Sequence, residues 1–222
     1  MIRIFDLFFC VLAITLLLPL FILIIPLLKV TGEGEVFYCQ KRIGKNLKIF
    51  HIIKFATMKK DSPNMAGGTI TIENDSRILP LGHFLRSSKI NELPQVFNIL
   101  LGEMSFIGPR PCTSETLDFY DEKSKKIIFS KKPGLSGIGS IIFRNEESLL
   151  YGESNRKAFY SQHIAPYKQK LEEWYAKNAS LKMYFYLILL TIYVVLNKNT
   201  KIHYKIFKNL PEPSKFLLEK LK

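Results

Sequence analysis

The feature that most constrains this chain is an uncharged apolar block near its start. Leu7 to Leu28 form 22 residues without a charged side chain, with Arg3 and Asp6 before the block and Lys29 after it. The block is longer than the apolar region of a signal peptide, and no small-residue cleavage pattern follows it. As a straight helix it would extend roughly 33 Å, which is enough to cross the hydrocarbon core of a bilayer.

Two prolines inside the block leave its path through a membrane open. Pro19 lies near the middle and Pro26 near the end. Each removes a hydrogen-bond donor from a helix and clashes with the preceding turn. A break at Pro19 predicts a helix that enters the membrane and returns to the same face, with both flanking basic residues at one surface. A kinked helix that crosses the membrane is an equal alternative, because neighbouring groups can satisfy the freed carbonyls.

The rest of the chain has the composition of a basic globular domain. The 222 residues include 32 Lys and Arg against 19 Asp and Glu, which gives a net charge of +13. With 47% hydrophobic and 23% charged residues, the composition excludes a disordered chain, a collagen-like chain and a multi-span membrane protein. The excess positive charge suits an anionic membrane surface or nucleic acid, or is a plain lysine-rich surface. Cys10, Cys39 and Cys112 are too widely and irregularly spaced to indicate a zinc site or a disulfide framework.

Local patterns predict a short β-hairpin followed mainly by helices. Two β-branched and aromatic runs, residues 36–40 and 49–55, flank a turn-like Gly44-Lys45-Asn46. Residues 61–76 are rich in Gly, Ser, Asn and Asp and predict a loop. The apolar spacing predicts helices over about Phe84–Leu101, Glu115–Phe129, Ser154–Lys177 and Met183–Leu196. The last of these is too short to span a membrane comfortably, so we expect an interfacial or a buried helix.

Three segments combine charged side chains with a constrained backbone. They are QKRIGK with KFATM (residues 40–45 and 54–58), DSR with LR and NELPQ (75–77, 85–86 and 91–95), and GEMSFIGPRP (102–111). A carboxylate beside several basic groups suits a nucleotide-sugar diphosphate. The carboxylate can hold a divalent cation or attack phosphorus, and arginines bind phosphate oxygens in a bidentate manner. Surface ion pairs and a helix cap are the alternative explanation.

One long motif resembles a known family. The run LRSSKINELPQVFNILLGEMSFIGPRP, residues 85–111, resembles the signature of bacterial sugar transferases, the monotopic phosphoglycosyl transferases that act on polyprenol phosphate. The similarity extends through QKRIG, KFATM, KKPGLSGIG and WYAKN, in the same order, and covers about residues 1–196. The resemblance implies an α/β, membrane-associated fold. Its parts are a re-entrant helix broken at Pro19 (1–30), a small, mainly helical catalytic domain with a short β-hairpin (31–196) and a basic tail (197–222).

The resemblance also implies a reaction. A phosphosugar passes from a UDP-sugar to undecaprenyl phosphate with release of UMP, on the cytoplasmic face of the bacterial inner membrane, and Mg²⁺ assists. Glu92 and Asn91 match the catalytic, metal-binding pair. The phosphate-binding positions are Arg86, Arg110, Lys54, Arg42 and Arg77. The expected partners are the UDP-sugar, polyprenol phosphate, anionic inner-membrane lipids and downstream glycosyltransferases, and not nucleic acid.

Several residues depart from the family pattern. Asn91 stands where the family has its nucleophilic Asp, and Glu172 and Tyr184 stand where many members have Asp. An amide cannot be an anionic nucleophile, although its carbonyl oxygen can ligate Mg²⁺. Four interpretations follow. Glu92 attacks phosphorus, or Glu92 is the base for direct attack by polyprenol phosphate. Alternatively, the chain is a weakly active variant that serves as a lipid- or nucleotide-binding scaffold, or it is an engineered Asp→Asn form. In both active routes we expect Glu92 to be essential.

Overall fold

Helices and short strands divide this chain into two units. The computed structural model describes residues 1–65, 75–144, 146–150, 155–197, 206–207 and 209–221. The N-terminal unit comprises Ile4–Lys41 and His51–Gly102, and the C-terminal unit comprises Met1–Arg3, Arg42–Phe50 and Glu103–Lys222. Most of the predicted loop at 61–76 and part of the predicted basic tail lie outside the described residues.

Helix α1, Ile2–Thr31, contains the apolar block and continues through both Pro19 and Pro26. The predicted helix break at Pro19 is therefore absent from α1, and the re-entrant path through the membrane stays a prediction. One side of α1 buries Phe21, Ile24 and Leu28. Large apolar side chains are exposed elsewhere on it, namely Ile4, Phe8, Val11, Leu12, Leu16, Leu18, Ile22, Leu23 and Val30. By length and composition α1 could cross a membrane.

The predicted hairpin is confirmed. Strand β1, Phe37–Ile43, pairs with β2, Ile49–Phe55. Phe55 is buried in the core of the N-terminal unit, where it stacks on Phe37 at 5.6 Å between ring centroids and meets Phe21 edge-on at 5.4 Å. Such offset and edge-to-face ring pairs add to the stabilisation from apolar burial. This aromatic cluster attaches α1 to the hairpin within the unit.

The single helix predicted over Phe84–Leu101 is wrong. The structure has two helices there, α2 (Pro80–Ser87) and α3 (Gln95–Leu101), with a 3₁₀ turn at Ile90–Glu92 between them. The apolar spacing continues through the break, which is why periodicity alone did not reveal it. The break matters for function because the turn carries the residues predicted to be catalytic.

Local chemistry explains where α2 ends and α3 begins. The hydroxyls of Ser87 and Ser88 donate to the Phe84 carbonyl at 3.1 and 2.7 Å and so compete with the helix backbone. Lys89 then adopts a left-handed conformation with φ 61°, which no α-helix accommodates. Pro94, which lacks an N–H, precedes α3 without loss of a helix hydrogen bond. Gly102 ends α3 at φ 86°, as the sequence predicts.

The C-terminal unit contains a parallel strand pair that the sequence did not predict. Strands β3 (Ser105–Ile107) and β4 (Gly134–Ser136) pair in parallel, with Ser105 opposite Gly134. Each strand has only three residues, too few for an alternating pattern to be recognised. The pair brings the Gly108-Pro109-Arg110-Pro111 segment beside the glycine-rich loop after Lys132, where the Gly134 N–H donates to the Pro109 carbonyl at 2.8 Å.

Helices make up most of the remaining C-terminal unit. Their bounds are α4 Ser114–Leu117, α5 Glu122–Ile128, α6 Ile138–Ile142, α7 Glu146–Leu149, α8 Arg156–Phe159, α9 Ala165–Asn178, α10 Leu181–Leu196 and α11 Lys215–Lys220. The helix predicted over Glu115–Phe129 is thus two helices, α4 and α5. The predicted polar helix corresponds to α8 and α9, joined by a π-helical turn at Tyr160–Ile164.

Helix α10 combines the two environments that the sequence left open. Tyr184, Leu187 and Leu190 are buried on one side of it. Leu189 and Leu196 are 63% and 75% exposed. The helix therefore packs on its own unit with one face and presents an apolar second face to the surroundings, as an interfacial helix would.

Candidate active site

The centre of the candidate site is an ion pair between Lys54 and Glu92 in the N-terminal unit. Lys54 Nζ donates to Glu92 Oε1 at 2.8 Å, and the two side chains are only 18% and 21% exposed. Lys54 comes from β2, next to Phe55, whose side chain points into the core. Because successive residues of a strand face opposite sides, the Lys54 side chain points away from that core. Glu92 comes from the turn between α2 and α3. The fold therefore brings together two predicted site residues that are 38 positions apart.

Asn98 joins strand β2, which carries Lys54, to helix α3, which follows the turn with Glu92. Its side-chain oxygen accepts from the Ile53 N–H at 2.9 Å, and its side-chain nitrogen donates to the His51 carbonyl at 2.7 Å. Asn98 is completely buried on α3. Both hydrogen bonds go to strand β2 on the N-terminal side of Lys54, so they fix this strand against α3. Sequence reasoning missed Asn98, because an isolated asparagine in an apolar helix pattern gives no signal of such a bridge.

Asn91, the residue beside the glutamate, is buried at 6% exposure. Its Oδ1 atom has no hydrogen-bond partner among the residues that the structure describes. A buried acceptor without a donor costs free energy, so such an atom calls for an explanation. An amide oxygen is a suitable ligand for a hard cation or an acceptor for a substrate hydroxyl.

The donor set is compatible with Mg²⁺ bound together with substrate. Mg²⁺ is usually held by one or two carboxylates plus substrate phosphates and water, not by an all-protein cage. Glu92 supplies one carboxylate, and the unpartnered Oδ1 of Asn91 supplies a second oxygen. Within the described residues, no group of three His, Cys, Asp or Glu side chains is placed to hold a metal ion. The two residues therefore fit a cation that substrate phosphates help to hold.

The two remaining basic residues predicted for this unit differ in their surroundings. Arg86, in the last turn of α2, lies partly buried, with Nη1 3.9 Å from Met58 Sδ. Arg77 is 2% exposed, and its Nε and Nη2 donate to the Asp75 carboxylate at 2.8 and 2.6 Å. Its Nη1 donates to the Ser62 carbonyl at 2.9 Å. Asp75 raises the pKa of Arg77 further. These contacts favour a structural role for Arg77 over phosphate binding.

Arg42 and Arg110 belong to the C-terminal unit. Arg42 Nη1 donates to the Pro111 carbonyl at 3.4 Å, which places it beside the Gly-Pro-Arg-Pro segment. The backbone N–H of Ile43 also donates to the Cys112 carbonyl at 2.9 Å. Burial raises the pKa of the Cys112 thiol to about 11, so this cysteine is a protonated, structural thiol. The tip of the hairpin thus holds the end of the segment that carries Arg110.

A buried charged cluster on α9 faces the same segment. Glu172 is 3% exposed, and its Oε1 accepts from the Arg110 N–H at 3.3 Å. Burial raises the pKa of Glu172 to about 7, against the opposing effects of Arg110 and Lys168. Lys168 bonds Glu146 at 2.6 Å, and burial lowers the pKa of Lys168. The sequence marked Glu172 only as a departure from the family and gave no sign that Lys168 is buried.

Chemically, the N-terminal unit offers a partly buried carboxylate, an adjacent ammonium and the partly buried guanidinium of Arg86. A carboxylate in such a place can attack phosphorus or accept a proton, and the cations can stabilise phosphate oxygens. The C-terminal unit offers two further guanidinium groups. Arg42 lies on β1 and donates to the Pro111 carbonyl, and Arg110 lies on the segment that these hydrogen bonds fix. Guanidinium groups such as these can bind phosphate oxygens.

Comparison with known proteins agrees with this chemistry. The model of the family described as bacterial sugar transferase matches residues 1–198. The exopolysaccharide production protein ExoY of Sinorhizobium fredii is 34% identical over 176 residues, 73% of this chain and 76% of ExoY. The UDP-galactose-lipid carrier transferase of Erwinia amylovora is 30% identical over 211 residues, 89% of this chain and 40% of that protein.

A third relative is named for an activity on a lipid phosphate. The undecaprenyl-phosphate glucose phosphotransferase of Komagataeibacter xylinus is 40% identical over 114 residues, 51% of this chain and 21% of that protein. The family match covers nearly the whole of both units, including the turn with Glu92 and the segment with Arg110. The chain therefore belongs to the bacterial sugar transferase family, and it is a phosphoglycosyl transferase.

Proposed function

We propose that this chain transfers a phosphosugar from a UDP-sugar to undecaprenyl phosphate and releases UMP. This would be the first membrane step in the assembly of a glycan such as a capsule, an O-antigen, an exopolysaccharide or a glycoprotein. The observation that carries the proposal is the partly buried Lys54–Glu92 pair at the helix break. The names of two relatives, a UDP-galactose-lipid carrier transferase and an undecaprenyl-phosphate glucose phosphotransferase, support both substrates.

Glu92 is the essential carboxylate in this proposal, and two routes are open to it. In the covalent route, a Glu92 oxygen attacks the sugar-bearing phosphorus and UMP leaves. An oxygen of undecaprenyl phosphate then attacks the same phosphorus and releases Glu92. In the direct route, Glu92 accepts a proton from the lipid phosphate as it attacks and UMP leaves. Lys54 balances the charge of Glu92 and is close enough to bind a phosphate oxygen in either route.

Mg²⁺ belongs to the same proposal. Glu92 and Asn91 would hold it, and the bound ion would neutralise charge on the diphosphate. Arg86, Arg42 and Arg110 are the further groups that we propose bind phosphate oxygens. Because Asn91 cannot carry a negative charge, Glu92 is the only carboxylate of the pair in this chain.

The membrane is the proposed location. The exposed apolar sides of α1 and α10 and the excess of basic residues suit the cytoplasmic face of a bacterial inner membrane, with its anionic lipids. Downstream glycosyltransferases would take up the lipid-linked product. Nucleic acid is not a partner in this proposal, since the basic residues that fall in the site suit phosphates of a sugar nucleotide.

The test is a transfer assay with detergent-solubilised protein, undecaprenyl phosphate, Mg²⁺ and a panel of UDP-sugars. The expected result is UMP release together with a lipid-linked phosphosugar for at least one donor. If no UDP-sugar of a broad panel gives UMP release, the result supports the alternative function as a lipid- or nucleotide-binding scaffold, which the Asn at position 91 suggested. Intact-mass measurement without the lipid separates the two routes: a gain of one phosphosugar on the protein supports the covalent route, and no gain supports the direct route.

A further inference from the structure

Glu172 is a buried carboxylate whose two oxygens differ in their surroundings. Oε1 accepts from the backbone N–H of Arg110, while Oε2 is buried without a hydrogen-bond partner among the described residues. A carboxyl group in such a place costs free energy unless a specific interaction compensates for it. An apolar residue of the same size would fill the space without this cost. Packing alone therefore does not explain why a carboxyl group lies here and bonds the backbone of Arg110.

The space around Glu172 is matched to the size of a glutamate. Helix α6 packs against α9 at Gly139. A Cβ atom added at Gly139 would lie 2.3 Å from Glu172 Oε1, closer than van der Waals contact allows. The absence of a side chain at Gly139 therefore gives the Glu172 carboxylate its room.

The segment that Glu172 contacts is held from several sides. The Gly108 N–H donates to the Ser136 carbonyl at 3.0 Å on strand β4. The Tyr175 hydroxyl, one turn along α9 from Glu172, donates to the Ile107 carbonyl at 3.3 Å. With the bond from Arg42 to Pro111, every residue from Ile107 to Pro111 has a backbone hydrogen bond to a neighbouring element. Glu172 supplies the bond at Arg110 itself.

We propose that Glu172 is a positioning residue that fixes the backbone of Arg110 and so aims its guanidinium, with Gly139 as its size-matched partner. The functional part of this inference rests on the proposed function, in which Arg110 binds a phosphate of the UDP-sugar. The backbone part does not, because the bond between Glu172 and Arg110 is a property of the C-terminal unit alone.

The first test compares Glu172→Met with Glu172→Gln. Methionine fills similar space but removes the acceptor, while glutamine keeps a carbonyl oxygen that can accept from Arg110. We expect amide hydrogen exchange at Arg110 to be about tenfold faster in Glu172→Met than in wild type and near wild type in Glu172→Gln. We also expect Glu172→Met to raise KM for the UDP-sugar about tenfold with kcat changed less than about threefold, without a lower unfolding temperature.

The second test couples the two partners. Gly139→Ala should raise KM, since its methyl group displaces the carboxylate. Adding Glu172→Asp withdraws the carboxylate by one methylene and should recover at least about fivefold of that loss, although Glu172→Asp alone is harmful. Additive effects of the two substitutions would overturn the size match.

Three outcomes decide the inference. Faster exchange at Arg110 with a higher KM in Glu172→Met supports it. Wild-type exchange at Arg110 in that variant overturns it, as does a loss of kcat and of thermal stability with KM unchanged, which would make Glu172 merely structural. If wild-type protein transfers no sugar, the proposed function fails, and the exchange measurement still decides whether Glu172 fixes Arg110.

Discussion

The Lys54–Glu92 pair differs in kind from an ordinary surface ion pair. Its two side chains are 18% and 21% exposed, whereas those of the Lys60–Glu35 pair in the same unit are 75% and 50% exposed. Exposed pairs contribute little to stability or function, because water and salt screen them. A pair that is mostly shielded from water interacts more strongly, and removing one member leaves a poorly compensated charge.

Lys54→Met should therefore lower transfer strongly. Loss of the ammonium removes both the partner of Glu92 and a group that can bind a phosphate oxygen. We expect a decrease in kcat/KM of about 30- to 100-fold, which corresponds to the loss of a charge-assisted hydrogen bond. The matched control is Lys60→Met, which breaks the exposed pair and should leave activity within about twofold. Equal activity of the two variants would contradict a role for Lys54.

Asn91 is the residue on which the use of a metal can be tested. If its unpartnered Oδ1 ligates Mg²⁺, then Asn91→Leu, of similar size but without the oxygen, should weaken the apparent Mg²⁺ affinity about tenfold. The measurements are the Mg²⁺ dependence of the transfer rate and a calorimetric Mg²⁺ titration in the presence of UDP-sugar. Asn64→Leu, at an exposed asparagine of the same unit, is the control. An unchanged Mg²⁺ dependence in Asn91→Leu would remove Asn91 from the ligand set.

At the scale of elements, helix α9 carries a titratable group whose effect on stability depends on pH. Burial raises the pKa of Glu172 from 4.5 to about 7, so the folded chain binds a proton here that the unfolded chain has released. Between these two pH values, stability must fall as pH rises, because the unfolded state binds fewer protons than the folded state. Above pH 7 the penalty is complete, and below pH 4.5 it is absent.

Glu172→Gln should abolish this penalty. The two pKa values correspond to a difference on the order of 3 kcal/mol in the free energy of unfolding at pH 8. Denaturant unfolding of wild type and Glu172→Gln between pH 5 and pH 8 measures it. We expect the free energy of unfolding of Glu172→Gln to increase relative to that of wild type as pH rises. Glu173→Gln, on the same helix, should show no such increase. A constant difference in the free energy of unfolding between Glu172→Gln and wild type across this range would contradict a raised pKa of Glu172.

Prediction of elements from the sequence succeeded where local signals were strong. The hairpin over residues 36–55 and the stop at Gly102 were read correctly from β-branched runs and a glycine. The break between α2 and α3 was not predicted, since apolar residues keep helical spacing across it while Ser87, Ser88 and Lys89 end the helix. The β3–β4 pair joins segments far apart in sequence, and such pairing leaves no local trace.

The candidate site was only partly predictable for the same reason. The motif run predicts Glu92, Arg86 and Arg110 as site residues, and the structure pairs Glu92 with Lys54. Burial could not be read from the sequence, so the engagement of Arg77 by Asp75 was not anticipated. The contact between Glu172 and Gly139 depends on how two helices pack, which no pattern within either helix records.

For the whole molecule, charge and exposed apolar surface should act together in membrane binding. The chain carries a net charge of +13, and Leu16 and Ile22 on α1 are 70% and 65% exposed. We expect the protein to co-sediment more with vesicles that contain phosphatidylglycerol than with phosphatidylcholine vesicles. Raising NaCl from about 0.1 to 1 M shortens the screening length from about 10 to 3 Å and should remove this difference but not all binding.

A charged variant of α1 separates the two contributions. Leu16→Glu with Ile22→Glu should reduce binding to both vesicle types by at least about tenfold, because each carboxylate in the apolar layer costs about 2 kcal/mol or more. Ile49→Glu, at an exposed position of the hairpin, serves as the control and should bind nearly as the wild type does. Full binding of the α1 variant would show that α1 does not enter the lipid.

The most direct test of the central claim is phosphosugar transfer by Glu92→Gln compared with wild type. The variant keeps the size and hydrogen-bonding shape of the side chain but can neither attack phosphorus as an anion nor accept the proton. With undecaprenyl phosphate, Mg²⁺ and the active UDP-sugar, we expect wild type to release UMP and Glu92→Gln to lose at least about 1,000-fold in rate. Glu35→Gln, at an exposed glutamate, should retain full activity. Undiminished transfer by Glu92→Gln would contradict the role assigned to this carboxylate.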